Sequence, residues 1–255
     1  MEHDPDSHHE RHLNNYEQAM APARRRFSES TVVRVFLDEK ASPDRLLAFL
    51  LHFCALGVAM TESVEGWIRR AGERCVSLGH VRLGRALIDH ARHESGHDGL
   101  MRADTFTLAA LWNRRAGAKP ADPGTLLSNN TSPGVRHYRE LHERTIAGPA
   151  PYAQIAIEYE IERLSVIYGG QLVHNCIQRI GPDVFSALSF VHEHIALDQG
   201  HTNFNRNRLS EFLSEHPSAF VSLVTSGAAA LDSYGEYLRD CLRLGDTFVC
   251  AVSPG

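Results

Sequence analysis

Recurring helix boundaries, with no strand pattern between them, constrain the fold of this chain most. Ser42-Pro43-Asp44 has the composition of a helix start, and an apolar-rich stretch follows it to about residue 70. Further helical patterns occupy 81–115, 135–147, 152–180, 183–214 and 217–244. Alternating β-branched strands joined by turn dipeptides do not occur. The sequence therefore predicts an all-α bundle of about seven helices.

Domain organisation follows from the same pattern. The clearest loop, residues 119–134, is rich in Pro, Gly, Asn and Ser and has helical patterns on both sides. We therefore predict a single helical domain over residues 13–255. Residues 1–12 lack apolar periodicity and are predicted to form a disordered polar tail.

Composition excludes several classes of protein. Lys plus Arg number 26 and Asp plus Glu number 31, so the net charge of 26 − 31 = −5 argues against a nucleic-acid partner. Five Cys residues without a CxxC pair are typical of reduced thiols, which predicts a cytoplasmic protein. The most apolar run, Leu46–Met60, contains His52 and is expected to be too short to span a bilayer, so no membrane partner is predicted.

A first stripe of candidate metal ligands lies in the pattern at 183–214. His194, Asp198 and His201 are offset by four and seven residues, which places them within about 40° of one another on a helix. Apolar neighbours indicate that this helix is at least half buried. A buried Asp costs several kcal/mol unless a cation compensates its charge. The alternative is an exposed polar stripe with accidental spacing.

His90, Glu94 and His97 repeat this spacing in the pattern at 81–115. The segments Glu94-Ser-Gly-His97 and Asp198-Gln-Gly-His201 are near copies of each other. Because a helical Gly costs about 1 kcal/mol, the repeated Gly suggests close approach of a bulky group or a facing helix.

A third helical pattern contributes more carboxylates. Glu158 and Glu162 share one helix face, whereas Glu160 points away from it. Inward carboxylates require a cation or a proton, although Glu162 beside Arg163 is also compatible with a surface seam. Glu62 is a fourth inward candidate. Carboxylates and imidazoles on several helices are the ligand set of a di-iron site in a helical bundle.

One motif offers a competing interpretation. His93-Glu94-Ser95-Gly96-His97 matches HExxH, the helix of zinc proteases, with the two His residues as ligands. The extended form of that motif needs Gly at 100 and His at 103, where this chain has Leu100 and Ala103. An HExxH zinc hydrolase also leaves the stripe of His194, Asp198 and His201 without a role.

These residues resemble the heme-oxygenase-like diiron oxidases, relatives of the helical fold of thiaminase II and PQQ synthase. The resemblance spans roughly residues 40–240 and implies a heme-oxygenase-like bundle. The ligands that it implies are Glu94, His97, Glu162, His194, Asp198 and His201. Glu62 and Glu158 are reserves, as an extra or an exchanged ligand.

The same resemblance implies an enzyme, an O2-dependent non-heme diiron oxidoreductase with two Fe(II) per chain and O2 as co-substrate. Such proteins oxidise small carboxylate-bearing molecules, amino acid or fatty acid derivatives, by C–C cleavage, desaturation or N-oxygenation in natural-product biosynthesis. No catalytic residue beyond the metal ligands is implied. The electron donor is not specified, and a homodimer is compatible with the pattern.

Three other hypotheses remain open from the sequence. A ferritin-like diiron protein would use Glu62 and would leave His194 without a role. A metal-free member of the same fold would need none of the six ligands. A non-enzymatic binding protein would contain no redox-active metal.

Overall fold

The computed structural model describes residues 5–115 and 120–250, without the side chains of residues 5–9 and of Asp198. Within these ranges all regular elements are helical. The α-helices are α1 (Pro5–Ser28), α2 (Thr31–Leu37), α3 (Pro43–Thr61), α4 (Val64–Ser77), α5 (Val81–Ala91), α6 (His97–Asn113), α7 (Pro123–Ser128), α8 (Pro133–Ala147), α9 (Gln154–Leu164), α10 (Gly170–Ile180), α11 (Ser189–Glu215) and α12 (Phe220–Cys250). The all-α prediction is confirmed, and the described residues contain more helices than the predicted seven.

Short irregular helical segments account for part of the difference in number, and helices α1, α2 and α7 lie outside the predicted patterns. The pattern at 81–115 is divided by a 3₁₀ turn at Arg92–Glu94, and the pattern at 152–180 by a π-helical segment at Ser165–Gly169. Apolar periodicity passes through such one-turn interruptions almost unchanged, so it predicted two continuous helices. Single-turn π segments are rare and are often found beside functional sites.

Helix α3 forms the centre of the bundle. Every residue from Leu46 to Met60 is buried, and the helix packs against α6 and α12. The segment Pro43–Ser77 is long and apolar enough to cross a membrane, contrary to the expectation that this region is too short, but 78 % of its most apolar window is buried within the protein. A helix that is apolar on all sides and covered by other helices is typical of a protein core.

Helix α1 closes one side of the bundle. It begins at Pro5, inside the segment that was predicted to be a disordered tail through residue 12, and residues 1–4 lie outside the described part of the chain. Leu13, Tyr16 and Met20 are buried, at spacings that place them on one face. This buried face holds α1 against the bundle, although the polar residues of its first turns show no apolar periodicity in the sequence.

A buried carboxylate joins α1 to α9. Glu160 is 1 % exposed and accepts hydrogen bonds from Tyr16 Oη at 3.1 Å and from Arg24 Nε at 2.8 Å. Glu17 in turn accepts a hydrogen bond from Tyr159 Oη at 2.7 Å. Glu160 was predicted to point away from the face that carries Glu158 and Glu162. In the structure it belongs to this network with α1.

Candidate metal centre

The turn between α5 and α6 creates the central ligand position. After the 3₁₀ turn that ends at Glu94, Ser95 is extended and Gly96 has a φ of +91°, in the left-handed region that favours glycine. Helix α6 then begins at His97. The HExxH segment is therefore not one helix, and the structure does not support the zinc-protease interpretation.

The repeated glycines, Gly96 and Gly200, were predicted to allow close approach of a bulky group or a facing helix, and the structure does not show this. A Cβ atom built on Gly96 or on Gly200 meets no other atom within 4 Å. Gly96 is instead required for its positive φ, whereas nothing in the structure explains Gly200. The similarity of the two four-residue segments does not reflect similar local structure.

Two buried groups of candidate ligands meet at one carboxylate. Ligand atoms of His90, Glu94, Glu162 and His201 lie within 4.8 Å of one another, and so do those of Glu94, His97 and His194. We call these the four-residue group and the three-residue group. Glu94 belongs to both groups, so the structure has two adjacent candidate metal positions that share one ligand.

The two carboxylate oxygens of Glu94 face different groups. Oε1 lies 3.3 Å from His201 Nδ1, and Oε2 lies 3.0 Å from His97 Nδ1. On the far side of the four-residue group, His90 Nε2 lies 2.9 Å from Glu162 Oε1. A carboxylate with one oxygen toward each of two positions has the geometry of a bridging ligand.

Hydrogen bonding fixes the tautomer of His194. Its Nδ1 lies 2.8 Å from the carbonyl oxygen of Phe190, and because a carbonyl only accepts, Nδ1 must donate. The other ring nitrogen, Nε2, then carries the lone pair that a metal needs. A backbone carbonyl that orients an imidazole in this way is a recurrent feature of metal sites.

Further polar contacts orient the remaining parts of the site. Asn205 Nδ2 donates to Glu162 Oε2 at 2.5 Å, which leaves Oε1 directed toward His90. Asp104 on α6 accepts hydrogen bonds from the backbone N–H groups of Ser189 at 3.1 Å and Phe190 at 2.9 Å. Asp104 therefore caps α11, the helix that carries His194 and His201, from a neighbouring helix.

The electrostatics of the site favour a bound cation. Burial raises the pKa of Glu94, but hydrogen bonds from His201 and His97 outweigh it and lower that pKa below its ordinary value. Burial and the neighbouring His97 lower the pKa of His194 to about 4. The site thus holds an ionised carboxylate and a neutral imidazole in the protein interior, a combination that suits a cation.

Glu158 is buried close to the site but belongs to neither group. Burial and the nearby charge of Glu162 raise its pKa to about 8. Gln154 Nε2 donates to Glu158 Oε1 at 2.5 Å and lies 2.8 Å from His142 Nδ1. Glu158 is thus hydrogen-bonded to Gln154 and lies beside the candidate ligands without belonging to either group.

Of the predicted ligand set, Glu94, His97, Glu162, His194 and His201 come together in the two groups. The side chain of Asp198 lies outside the described part of the structure. Glu62 is exposed and forms an ion pair with Arg139 at 2.8 Å, so it does not act as a reserve ligand here. The ferritin-like hypothesis, which needs Glu62 and not His194, loses support.

His90 belongs to the four-residue group but not to the ligand set that the resemblance implied. It begins the stripe of His90, Glu94 and His97, yet only the last two belonged to the predicted set. The break in the helix at Arg92–Gly96 separates His90 from His97, so that His90 joins the four-residue group and His97 the three-residue group.

An apolar cavity of about 140 Å³ opens onto the site. Its lining includes candidate ligands from both groups, namely Glu94, His97, Glu162 and His194. Its walls are formed mainly by aromatic and aliphatic side chains, among them Phe27, Phe36, Phe49, Phe53, Leu172 and Leu238. Among the described residues that line it there is neither Lys nor Arg.

Two solved structures share the fold along most of the chain. One is a domain of unknown function with a heme oxygenase-like fold from Shewanella denitrificans, with a TM-score of 0.62 and 16 % identity, covering 98 % of this chain and 96 % of that chain. The other is a TenA homolog from Pseudomonas syringae pv. tomato, with a TM-score of 0.63 and 12 % identity, covering 90 % of this chain and 92 % of that chain. No protein family model and no curated protein matches this chain. The protein thus has the predicted heme-oxygenase-like fold.

Proposed function

We propose that the protein is an O2-dependent non-heme diiron oxidase or oxygenase that acts on a small carboxylic acid with an apolar chain. The observation that carries this proposal is the position of Glu94, whose two oxygens face two buried groups of imidazole and carboxylate donors. Donors of this kind suit iron or manganese, and no Cys belongs to either group.

The residues present fit two divalent ions. His90, His201 and Glu162 would hold one ion, His97 and His194 would hold the other, and Glu94 would bridge them. Asp198, a turn away from both His194 and His201 in the sequence, completes the predicted set. Two Fe(II) ions bound there supply the electrons for the reaction of O2.

The protein contributes geometry and exclusion of water. Phe190 presents its carbonyl oxygen to His194 and packs its ring against the imidazole, with 4.0 Å between the ring centroids. Asn205 holds Glu162, and the apolar walls of the cavity keep the reacting end of a substrate away from bulk solvent.

The cavity and the charge of the site indicate the substrate class. Two Fe(II) ions carry +4 and the three predicted carboxylates −3, so 4 − 3 leaves +1 in a medium of low dielectric. A substrate carboxylate at the ions would neutralise this charge. The cavity of about 140 Å³ suits a compact apolar chain, because an apolar cavity of roughly 150 Å³ takes up benzene.

Metal content and O2 reactivity together test the proposal. Protein loaded anaerobically with Fe(II) should hold two ions per chain. On stopped-flow mixing with O2, a transient visible band should form faster in the presence of a short aliphatic or amino acid than with the corresponding amide. His201→Ala and Glu162→Ala should abolish the O2 reaction, and His93→Ala should leave the loaded protein active.

Two results would contradict the proposal. Saturation at one ion per chain would exclude the dinuclear site. Acceleration by neutral compounds but not by carboxylates would exclude the proposed substrate class while leaving the metal centre intact.

A further inference from the structure

A third set of ligand atoms lies between the four-residue group and solvent. Ligand atoms of His90, His93 and His201 are within 4.8 Å of one another. The rings of His93 and His201 are stacked, with 5.7 Å between centroids and 10° between planes. His93 lies on the turn after α5 and is exposed.

The three imidazoles span the distance from the surface to the interior. The side chain of His201 is 14 % exposed and that of His90 is 2 % exposed, whereas His93 faces solvent. His90 and His201 also belong to the four-residue group. The exposed set and the buried set therefore share two of their ligands.

We propose that His93 receives divalent metal ions from solvent and passes them to the buried centre. This inference rests on the proposed metal centre. In the first step His90, His93 and His201 hold the ion. It then moves inward by exchanging His93 for the carboxylates of Glu94 and Glu162, while the imidazoles of His90 and His201 remain within reach.

The charges along this route favour inward transfer. The three imidazoles are neutral ligands, whereas the buried group adds two carboxylates, Glu94 and Glu162. In a medium of low dielectric, two carboxylates offset the +2 charge of the ion, which a third neutral imidazole cannot do. The outer position is then occupied only transiently, and the inner position determines the affinity.

The apolar cavity is a poor alternative route. Its walls are mainly aromatic and aliphatic, and an ion that crossed it would lose its hydration shell before it met a ligand. Through His93, each water that leaves the ion is replaced by a ring nitrogen.

Kinetics of Co(II) binding test this role, because Co(II) is stable in air and absorbs visible light when bound to protein. Association is followed by stopped-flow absorbance on the metal-free protein. Release is followed after addition of EDTA at concentrations where the rate no longer depends on EDTA. A route speeds filling and emptying equally, so His93→Ala should slow both several-fold and leave Kd and the two-ion stoichiometry unchanged.

Two variants serve as controls. His192→Ala removes an exposed imidazole from α11 that belongs to none of the three sets, and it should change neither rate. His93→Asp retains a ligand atom at the surface, and it should recover part of both rates.

Unchanged association and release in His93→Ala would overturn the inference while the metal centre stands. A weaker Kd with faster release would also overturn it, because His93 would then be a permanent ligand. Failure of the unaltered protein to bind Co(II) would overturn both this inference and the proposed function.

Discussion

His194 donates from Nδ1 to the carbonyl oxygen of Phe190 over 2.8 Å, one turn earlier on the same helix. This contact directs the lone pair of Nε2 away from the backbone, and His97 and Glu94 provide the other ligand atoms within 4.8 Å. The three-residue group is therefore preformed, with a ring tautomer that suits metal binding.

Removal of His194 should convert the protein to a mononuclear form. We expect His194→Ala to lose the ion held with His97 and to retain the ion held by the four-residue group. Co(II) titration followed by visible absorbance, with metal analysis after desalting, measures the stoichiometry. His192→Ala, on the same helix and exposed, should still bind two ions. Two tightly bound ions in His194→Ala would contradict the assignment.

Glu94 should be required for both ions, whereas Glu158 should be required for neither. Glu94→Ala removes the ligand that the two groups share, and we expect no tightly bound Co(II). Glu158→Gln keeps the shape of a side chain that is hydrogen-bonded to Gln154 and belongs to neither ligand group, and it should retain both ions. Loss of an ion in Glu158→Gln would show that Glu158 is a ligand.

Asp104 should stabilise the protein by capping the helix that carries two candidate ligands. Asp104→Asn loses the negative charge at the start of α11 and should lower the free energy of unfolding by about 1–2 kcal/mol. Urea unfolding measures the change, and Co(II) affinity should fall with it. Asp122 caps the short helix α7 through Thr125, so Asp122→Asn should leave Co(II) affinity unchanged. Equal metal affinities in the two variants would contradict this role.

The buried pair of Glu160 and Arg24 should contribute strongly to stability. Arg24 Nη2 lies 2.7 Å from Glu160 Oε1, and the carboxylate is 1 % exposed. Glu160→Gln should lower the free energy of unfolding by about 3 kcal/mol, because Arg24 then keeps only Glu17 as a charged partner. As a control, Glu73→Gln breaks an exposed, solvent-screened pair with Arg69 and should change the free energy of unfolding far less. Similar losses in the two variants would argue against the network.

Stability should decline as the pH falls below about 6.5. Burial lowers the pKa of His142 to about 3 and that of His52 to about 4, whereas both titrate near 6.5 when unfolded. Between these values the unfolded chain binds more protons than the folded protein. Each residue should therefore remove up to about 1.4 kcal/mol of stability per pH unit as the pH decreases.

Urea unfolding of the metal-free protein between pH 5 and 7.5 measures this dependence. His142→Gln should reduce the slope by about one proton, since its side chain does not titrate. An unaltered slope in His142→Gln would show that His142 does not titrate on unfolding.

The sequence predicted the helical class because apolar periodicity and Pro or Gly boundaries are local properties. It missed the short interruptions, since a turn such as Arg92–Gly96 keeps the apolar residues close to a helical repeat. The helical spacing placed His90 in one stripe with Glu94 and His97, but the ligand set implied by the resemblance contained only the last two. On a continuous helix His90 would share a face with His97, whereas the turn directs the two residues to different groups.

Contacts between distant segments had no local signal. The cap that Asp104 provides joins residues 85 positions apart, and the bond from Tyr16 to Glu160 joins residues 144 positions apart. Glu62 illustrates the opposite case, because its sequence neighbours suggested burial but it lies at the surface beside Arg139. The packing of helices against one another determines which carboxylates face inward. The spacing of residues along one helix does not contain this information.

The absence of Lys and Arg from the described walls of the cavity has a consequence for ligand discovery. Without metal, a carboxylic acid meets hydrocarbon surface, the hydroxyl groups of Thr, Ser and Tyr side chains, and acidic or imidazole groups, but no Lys or Arg among the described lining residues. Its affinity then reflects the apolar chain, at about 0.8 kcal/mol for each buried methylene. A screen of the metal-free protein would therefore rank compounds by hydrophobicity. It would not detect the contribution of the carboxylate, the feature that distinguishes the proposed substrate.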